Sequence, residues 1–273
     1  MIKVGIIGNG YVGSATQLIK APEIEYKVYD VDESRCSEGV NKAEDLQGCD
    51  FIFLCLPTPM NEDGSCHTDL LENVIKELKS WDSTPELIVR STVPVGFCRE
   101  QGVSFMPEFL TEKNWVEDVK NCSSWVFGVR GIEHCAVEGG NLDDALDKVG
   151  TNSLITHLRV WIQYAAKAGS VIEDSTLDFV TTDLAELAKL TRNVFLAVKV
   201  SFFNEISEFC EHNEMNYQAL RPLVAKDPRI GDSHTKVPGP DGKHGYGGTC
   251  FPKDISSLVY QMKNTDKMQL YVT

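Results

Sequence analysis

The 273-residue chain has no CxxC pair, no apolar run of membrane-spanning length and no internal repeat. Its nine cysteines stand at 36, 49, 55, 66, 98, 122, 135, 210 and 250. Their odd number and irregular spacing fit neither a disulfide framework nor a zinc site. The six histidines are scattered, none at a ligand spacing from another, so no metal site is expected. Thiols without a framework point to a reducing cytoplasm. A membrane span needs roughly 18 consecutive apolar residues, which nothing here approaches. Basic residues are scarce, 26 Lys and Arg against 40 Asp and Glu, for a net charge of −14. That balance argues against nucleic acid or anionic membrane as a partner, since both reward clustered cations. The N-terminus leads into a glycine loop rather than a small-residue cleavage site.

What is present begins with an apolar run at 2–7, suited to a buried parallel strand. Gly8-Asn9-Gly10-Tyr11-Val12-Gly13 follows at once, with a helix expected from about Tyr11, and a second strand at 26–29 ends at Asp30. These are the parts of a dinucleotide fingerprint. Glycines permit a tight turn, close approach of backbone to a pyrophosphate, and helix–strand packing. The helix N-terminus offers free N–H groups to phosphate. Asp30 accepts hydrogen bonds from ribose hydroxyls and repels a 2′-phosphate, so NAD is expected over NADP. A purely structural glycine turn leaves Asp30 unexplained.

Strand–helix alternation continues with strands expected at 50–56, 87–90, 103–106 and 125–129, and a helix over 70–78. Units of this kind imply a doubly wound, Rossmann-like α/β parallel sheet with ligands at the carboxyl ends of its strands. Thr58, Thr92 and Glu108 fall at such ends. Thr92 serves equally well as a residue that ends a strand by bonding its own backbone. Glu108 and Glu112, four apart, are expected to share a helical face, where paired acids are usually solvated.

Beyond a helix at 153–167 and a short strand at 179–182, Asp183 is expected to cap a helix, with Glu186 completing a capping box. From 184 to 212 there is neither Gly nor Pro and the apolar spacing is helical. Roughly 29 residues make a rod of about 43 Å, a length that joins lobes or builds a dimer interface. Lys189 and Asn193 stand one turn apart on it; a solvent-facing polar pair is the plainer reading. A helix at 215–225 and a polar loop follow, then Gly245-Tyr246-Gly247-Gly248-Thr249-Cys250-Phe251-Pro252-Lys253-Asp254 and a last helix over 254–263. Pro252 suits a first helical turn, which puts Cys250 near a helix start, where a thiolate is favoured. By itself such a cysteine is more readily a buried free thiol after a surface loop; the rest of the chain reverses that reading.

Taken together, GNGYVG (8–13), YDVD (29–32), STVPVG (91–96), PEFLTE (107–112), AELAKLTRN (185–193), FFNEI (202–206), RIG (229–231) and GYGGTCFPKD (245–254) resemble the UDP-glucose 6-dehydrogenase family. The resemblance covers nearly the whole chain and implies two domains. Residues 1–182 would bind NAD, and 183–273 would form a helical central and dimerisation domain built on the long helix and carrying the cysteine loop. It implies a four-electron oxidation of UDP-glucose to UDP-glucuronate, as in polysaccharide biosynthesis.

By motif, Cys250 matches the nucleophile, Lys189 and Asn193 the groups that stabilise oxyanions and position water, and Asp254 their acid partner. Glu108 matches the acid of thioester hydrolysis, and Thr92 the threonine near the catalytic water. Gly8, Gly10, Tyr11, Val12, Gly13, Asp30, Arg35, Thr58, Thr92 and Glu112 are implied to face NAD. Phe109, Leu110, Tyr246, Gly247 and Lys253 are implied to face substrate, with Arg229 reaching it across a homodimer.

Family members continue into a third, UDP-holding domain, whereas this sequence stops about 20 residues past Cys250, so that domain is expected either to be absent or to be supplied by another polypeptide. Two other readings stand beside this one: a dehydrogenase for another nucleotide sugar, such as UDP-N-acetyl-mannosamine, or for a small sugar acid; and a catalytically silent NAD-binding subunit.

Overall fold

The computed structural model describes residues 1–111, 113–132, 152–248 and 250–265. It forms two compact units: Met1–Pro59 with Cys66–Lys189, and Met60–Ser65 with Leu190–Thr273.

The first unit is built on one sheet. In chain order its elements are β1 (Ile2–Ile7), α1 (Tyr11–Thr16), β2 (Ile24–Tyr29), β3 (Phe51–Leu54), α2 (Asp69–Lys79), β4 (Glu86–Val89), α3 (Phe97–Gln101), β5 (Ser104–Phe105), α4 (Trp115–Lys120), β6 (Ser124–Gly128), α5 (Asn152–Lys167) and β7 (Thr176–Val180). The strands lie in the order β2-β1-β3-β4-β5-β6-β7. From β1 the chain first adds β2 on one side and then β3 on the other. This reversal is a topological switch point, where open α/β sheets bind ligands beyond the strands' carboxyl ends.

Buried strands between two helical layers need apolar residues on both faces. Phe51, Ile52, Phe53 and Leu54 of β3 are all fully buried. One face packs Phe51 and Phe53 against Trp161 of α5, whose indole N–H donates to the Tyr26 hydroxyl at 3.0 Å. On the other face α2 buries Leu71, Ile75 and Leu78, one stripe of a helix. Its ends carry Asp69 and Glu72 in the first turn and Lys76 and Lys79 in the last, the signs that suit the helix dipole.

The expected parallel sheet is mostly parallel, with one exception: β5 and β6 pair antiparallel, Phe105 opposite Gly128. A one-residue register leaves strand direction to the packing of the flanking segments, which no local pattern encodes. The strand expected at 50–56 is shorter, and that at 179–182 starts earlier, at Thr176. No helix carries Glu108: the chain from 106 to 111 has no regular secondary structure. Pro107 disfavours helical geometry in the residue before it. Glu112 lies outside the described residues.

The long helix, α6 (Thr182–His212), starts in the first unit and runs into the second. The expected capping box is not what begins it. Leu184 N donates to Thr181 Oγ1 at 3.3 Å, while Asp183 pairs with Arg99 at 3.0 Å. Glu186 is fully buried and accepts from Gly96 N at 2.6 Å and Cys98 N at 2.8 Å. The carboxylate thus satisfies the orphan N–H groups at the start of α3 instead of those of its own helix. Burial pushes the Glu186 carboxyl up to about 7, against the opposing pull of those N–H donors. Gly128 permits this seating, since a Cβ there would lie 2.8 Å from Thr182 Cα and 2.9 Å from Ala185 Cβ.

The second unit holds the rest of α6, α7 (Tyr217–Ala225) and α8 (Cys250–Lys263). Phe203, Cys210, Tyr217 and Val237 form its core. Its loops are tied down by polar contacts, Asn204 Oδ1 accepting from Gly245 N at 2.8 Å and Lys199 Nζ donating to Ile230 O at 2.6 Å. Phe195, Val198, Phe202 and Phe209 of α6 are exposed. Among the described residues no helix is long and apolar enough to cross a membrane.

Candidate active site

The glycine loop between β1 and α1 is shaped by three different constraints. Gly8 has φ +92°, the left-handed region, and a Cβ there would lie 2.5 Å from Cys55 O. At Gly13 a Cβ would meet Gly8 O at 2.1 Å, so close helix–strand packing requires glycine. Gly10 is different: a Cβ there meets nothing within 4 Å. Its bareness leaves open space at the N-cap of α1, the place where a pyrophosphate would meet helix N–H groups.

Asp30, at the end of β2, braces this loop. Its Oδ2 accepts from Asn9 N at 2.6 Å and its Oδ1 from Asp32 N at 2.9 Å. Asn9 also donates to Arg35 O at 2.7 Å, and Arg35 pairs with Asp32 at 3.3 Å. Tyr11 reaches Thr111 O at 2.6 Å and stands edge-on to Trp115. Val12 O accepts from Thr16 Oγ1 at 2.8 Å. These residues fit a dinucleotide, with Gly10 open to the diphosphate and an acid at the second strand's end for ribose hydroxyls.

Further along the sheet, Thr58 Oγ1 donates to Thr92 O at 2.7 Å, and both threonines are buried. Thr92 therefore joins the β3 and β4 ends through its backbone. Glu108 follows β5 and is also buried; its Oε2 accepts from Leu110 N at 3.1 Å. Its Oε1 lies 2.7 Å from Lys189 Nζ. This is an ion pair removed from solvent, not the solvated face that the spacing of either residue suggested.

In the second unit, Cys250 is the first residue of α8 and is half-buried. Asp254, fully buried one turn on, accepts from Asn193 Nδ2 at 2.6 Å and pairs with Lys253 Nζ at 3.1 Å. Lys253 is itself largely buried. Arg229 behaves otherwise. It pairs with Asp227 at 2.6 Å and its side chain is 87% exposed. Tyr246 is exposed as well, beside Gly247 in the loop that leads to Cys250, and Thr249 lies outside the described residues.

Two buried residues near Glu108 escaped the sequence reading. Arg90 closes β4 with 4% exposure, donates to Thr16 Oγ1 at 2.8 Å and stacks over the Phe53 ring. Burial pulls its guanidinium below the usual arginine range. Trp125, on β6, is 5% exposed. A cation ending an apolar strand was the one signal for Arg90; nothing local marked Trp125. Among the described residues, no cluster of three or more His, Cys, Asp or Glu can hold a metal.

Residues 39–139 match the family model described as the NAD binding domain of the UDP-glucose/GDP-mannose dehydrogenase family, and residues 183–272 match the central domain of the same family. A UDP-glucose 6-dehydrogenase of Streptococcus pneumoniae is 29% identical over 94% of this chain and 68% of its own length. A putative UDP-glucose 6-dehydrogenase of Bacillus subtilis is 32% identical over 82% of this chain, which spans 49% of that protein. Among solved structures, a UDP-glucose dehydrogenase from Pyrobaculum islandicum aligns over 97% of this chain and 64% of its own, with TM-score 0.71 and 24% identity. A UDP-D-ManNAc dehydrogenase from Pyrococcus horikoshii aligns over 98% and 66%, with TM-score 0.72 and 19% identity. The chain thus spans roughly half to two thirds of the length of these relatives. With both domain models matched in order, the chain belongs to the UDP-glucose/GDP-mannose dehydrogenase family, whose NAD-binding domain it carries.

Proposed function

We propose that the protein oxidises UDP-glucose to UDP-glucuronate in two NAD-dependent steps through a covalent intermediate on Cys250. The observation that carries this reading is the fully buried Asp254, held by Asn193 and Lys253 one helical turn beyond a thiol at a helix start. An acid buried with two donors in place is preorganised machinery rather than a surface pair.

The bound nicotinamide supplies a hydride acceptor at each oxidation. In the first step the C6 alcohol loses a hydride and a proton to give an aldehyde. The Cys250 thiolate, favoured at the N-terminus of α8, adds to the aldehyde carbon. Developing negative charge on that oxygen needs donors, and Lys189 and Asn193 are the groups of the right kind. The resulting thiohemiacetal loses the second hydride to become a thioester. Water then attacks the thioester carbon, the sulfur leaves as thiolate, and the acid is released. Glu108, buried against Lys189, is the carboxylate we assign to handle the water's proton. Thr92 is the assigned hydroxyl nearest that water. Phe109, Leu110, Tyr246, Gly247 and Arg229 are assigned to the sugar nucleotide, and Thr58 and Arg35 to NAD.

UDP-glucose is preferred because curated relatives of this chain, those of Streptococcus pneumoniae and Bacillus subtilis among them, carry that substrate in their names. Incubation with saturating NAD and a panel of UDP-hexoses tests the choice. UDP-glucuronate is the expected product; a folded sample that forms no NADH from any of them would overturn the proposal. Turnover confined to UDP-N-acetyl-mannosamine would overturn the substrate and keep the chemistry.

The exposed stripe of Phe195, Val198, Phe202 and Phe209 supports pairing of α6 with a second copy of the chain. Sedimentation equilibrium should give twice the mass of the chain. A monomer at micromolar concentration would contradict it.

A further inference from the structure

Beside Glu108 the first unit holds a partly open cavity of about 40 Å³, lined among others by Arg90, Glu108, Trp125, Asp118 and Cys122. Two of the lining residues carry buried hydrogen-bond donors with no acceptor among the described residues: Arg90 Nε and Trp125 Nε1. Both side chains are more than nine-tenths buried, at 4% and 5% exposure. Buried N–H groups are nearly always paired, with protein or with ordered water. A space of this size admits at least one water molecule, and such a molecule is held where two to four polar partners converge.

The partners here specify the ligand. Two N–H donors call for two lone pairs, and the Glu108 carboxylate calls for a donor, because each of its oxygens can accept more than the single contact it makes to Lys189 or to Leu110 N. Water has two lone pairs and two protons and meets both demands at once. A halide would satisfy the donors but would sit against the Glu108 and Asp118 carboxylates, and a cation would face the Arg90 guanidinium. We propose that this cavity binds an ordered internal water joining Arg90 and Trp125 to Glu108, and that those two residues position the Glu108 carboxylate through it. Water-mediated contacts of this kind are nearly as favourable as direct ones.

The water site stands independently of the proposed reaction; the positioning role rests on it. Lys189 pairs with Glu108 directly, and Arg90, Asp118 and Cys122 line the same pocket.

The site is tested on the wild-type chain by water–protein ROE spectroscopy of the four tryptophan indole N–H signals, with Trp125→Phe identifying the relevant one by its disappearance. A cross-peak from the Trp125 indole proton to a long-lived water is the expected result. Its absence would overturn the site, as would an anomalous bromide peak in the cavity of crystals grown in bromide. For the positioning role, Trp125→Phe should lower kcat for NADH formation several-fold while leaving KM for the sugar nucleotide unchanged. An unchanged kcat in a folded variant would overturn that role while leaving the water and the proposed oxidation intact.

Discussion

Lys189 Nζ lies 2.7 Å from Glu108 Oε1, with side-chain exposures of 2% and 8%. The contact joins the first turns of α6 to the segment that follows β5. Removing one member of a buried ion pair strands the other charge in a poorly solvated place, which typically costs about 3–5 kcal/mol.

Lys189→Met should therefore lower the unfolding free energy by about that amount, and the double variant with Glu108→Leu should lose less than the sum of the singles. Urea unfolding of the four proteins measures it. Additive losses would mean that the two charges do not depend on each other.

Glu186 gives a prediction in pH. Its folded-state value of about 7 lies above the ordinary 4.5 of a glutamate. The folded protein therefore binds the proton more tightly than the unfolded chain, so the stability this provides is full below about 4.5 and is lost as pH rises through about 7. Glu186→Gln removes this titration. The wild-type advantage over Glu186→Gln should shrink between those values and then level off; a difference constant from pH 4.5 to 8 would contradict the assignment.

The glycine loop separates folding from binding. Gly13→Ala places a Cβ against Gly8 O and should destabilise the first unit, whereas Gly10→Ala meets nothing and should leave the melting temperature within a few degrees of wild type. Gly10→Ala should nevertheless weaken NAD binding at least tenfold, measured by calorimetry. Unchanged affinity would place the pyrophosphate elsewhere.

These residues also mark how far the sequence could be read. The glycine loop, Asp30 and the cysteine at a helix start were legible because each depends on neighbours a few positions away: a tight turn, a strand end, a proline in the first turn. The long helix was legible from an unbroken apolar period. The sequence makes Glu186 the second member of a capping box with Asp183, whereas its partners, Gly96 N and Cys98 N, come from a distant turn. The antiparallel β5–β6 pair, the burial of Glu108 against Lys189, and the meeting of Arg90 and Trp125 at one cavity are likewise products of tertiary packing. Helical spacing made Glu108 and Glu112 a surface pair; Pro107 and the turn that Glu108 closes on Leu110 N made Glu108 a buried one.

Cys250→Ala should leave NAD affinity within twofold of wild type while abolishing uronate formation, because the aldehyde then has no covalent anchor for its second oxidation. Mass spectrometry of the products reads this directly; undiminished uronate would exclude the thioester route.

The most direct test of the whole account is the number of NADH molecules formed per UDP-glucose consumed, with NAD in excess and sugar limiting. Two per sugar is the expected result. One per sugar, with the aldehyde accumulating, would contradict the cysteine-dependent double oxidation.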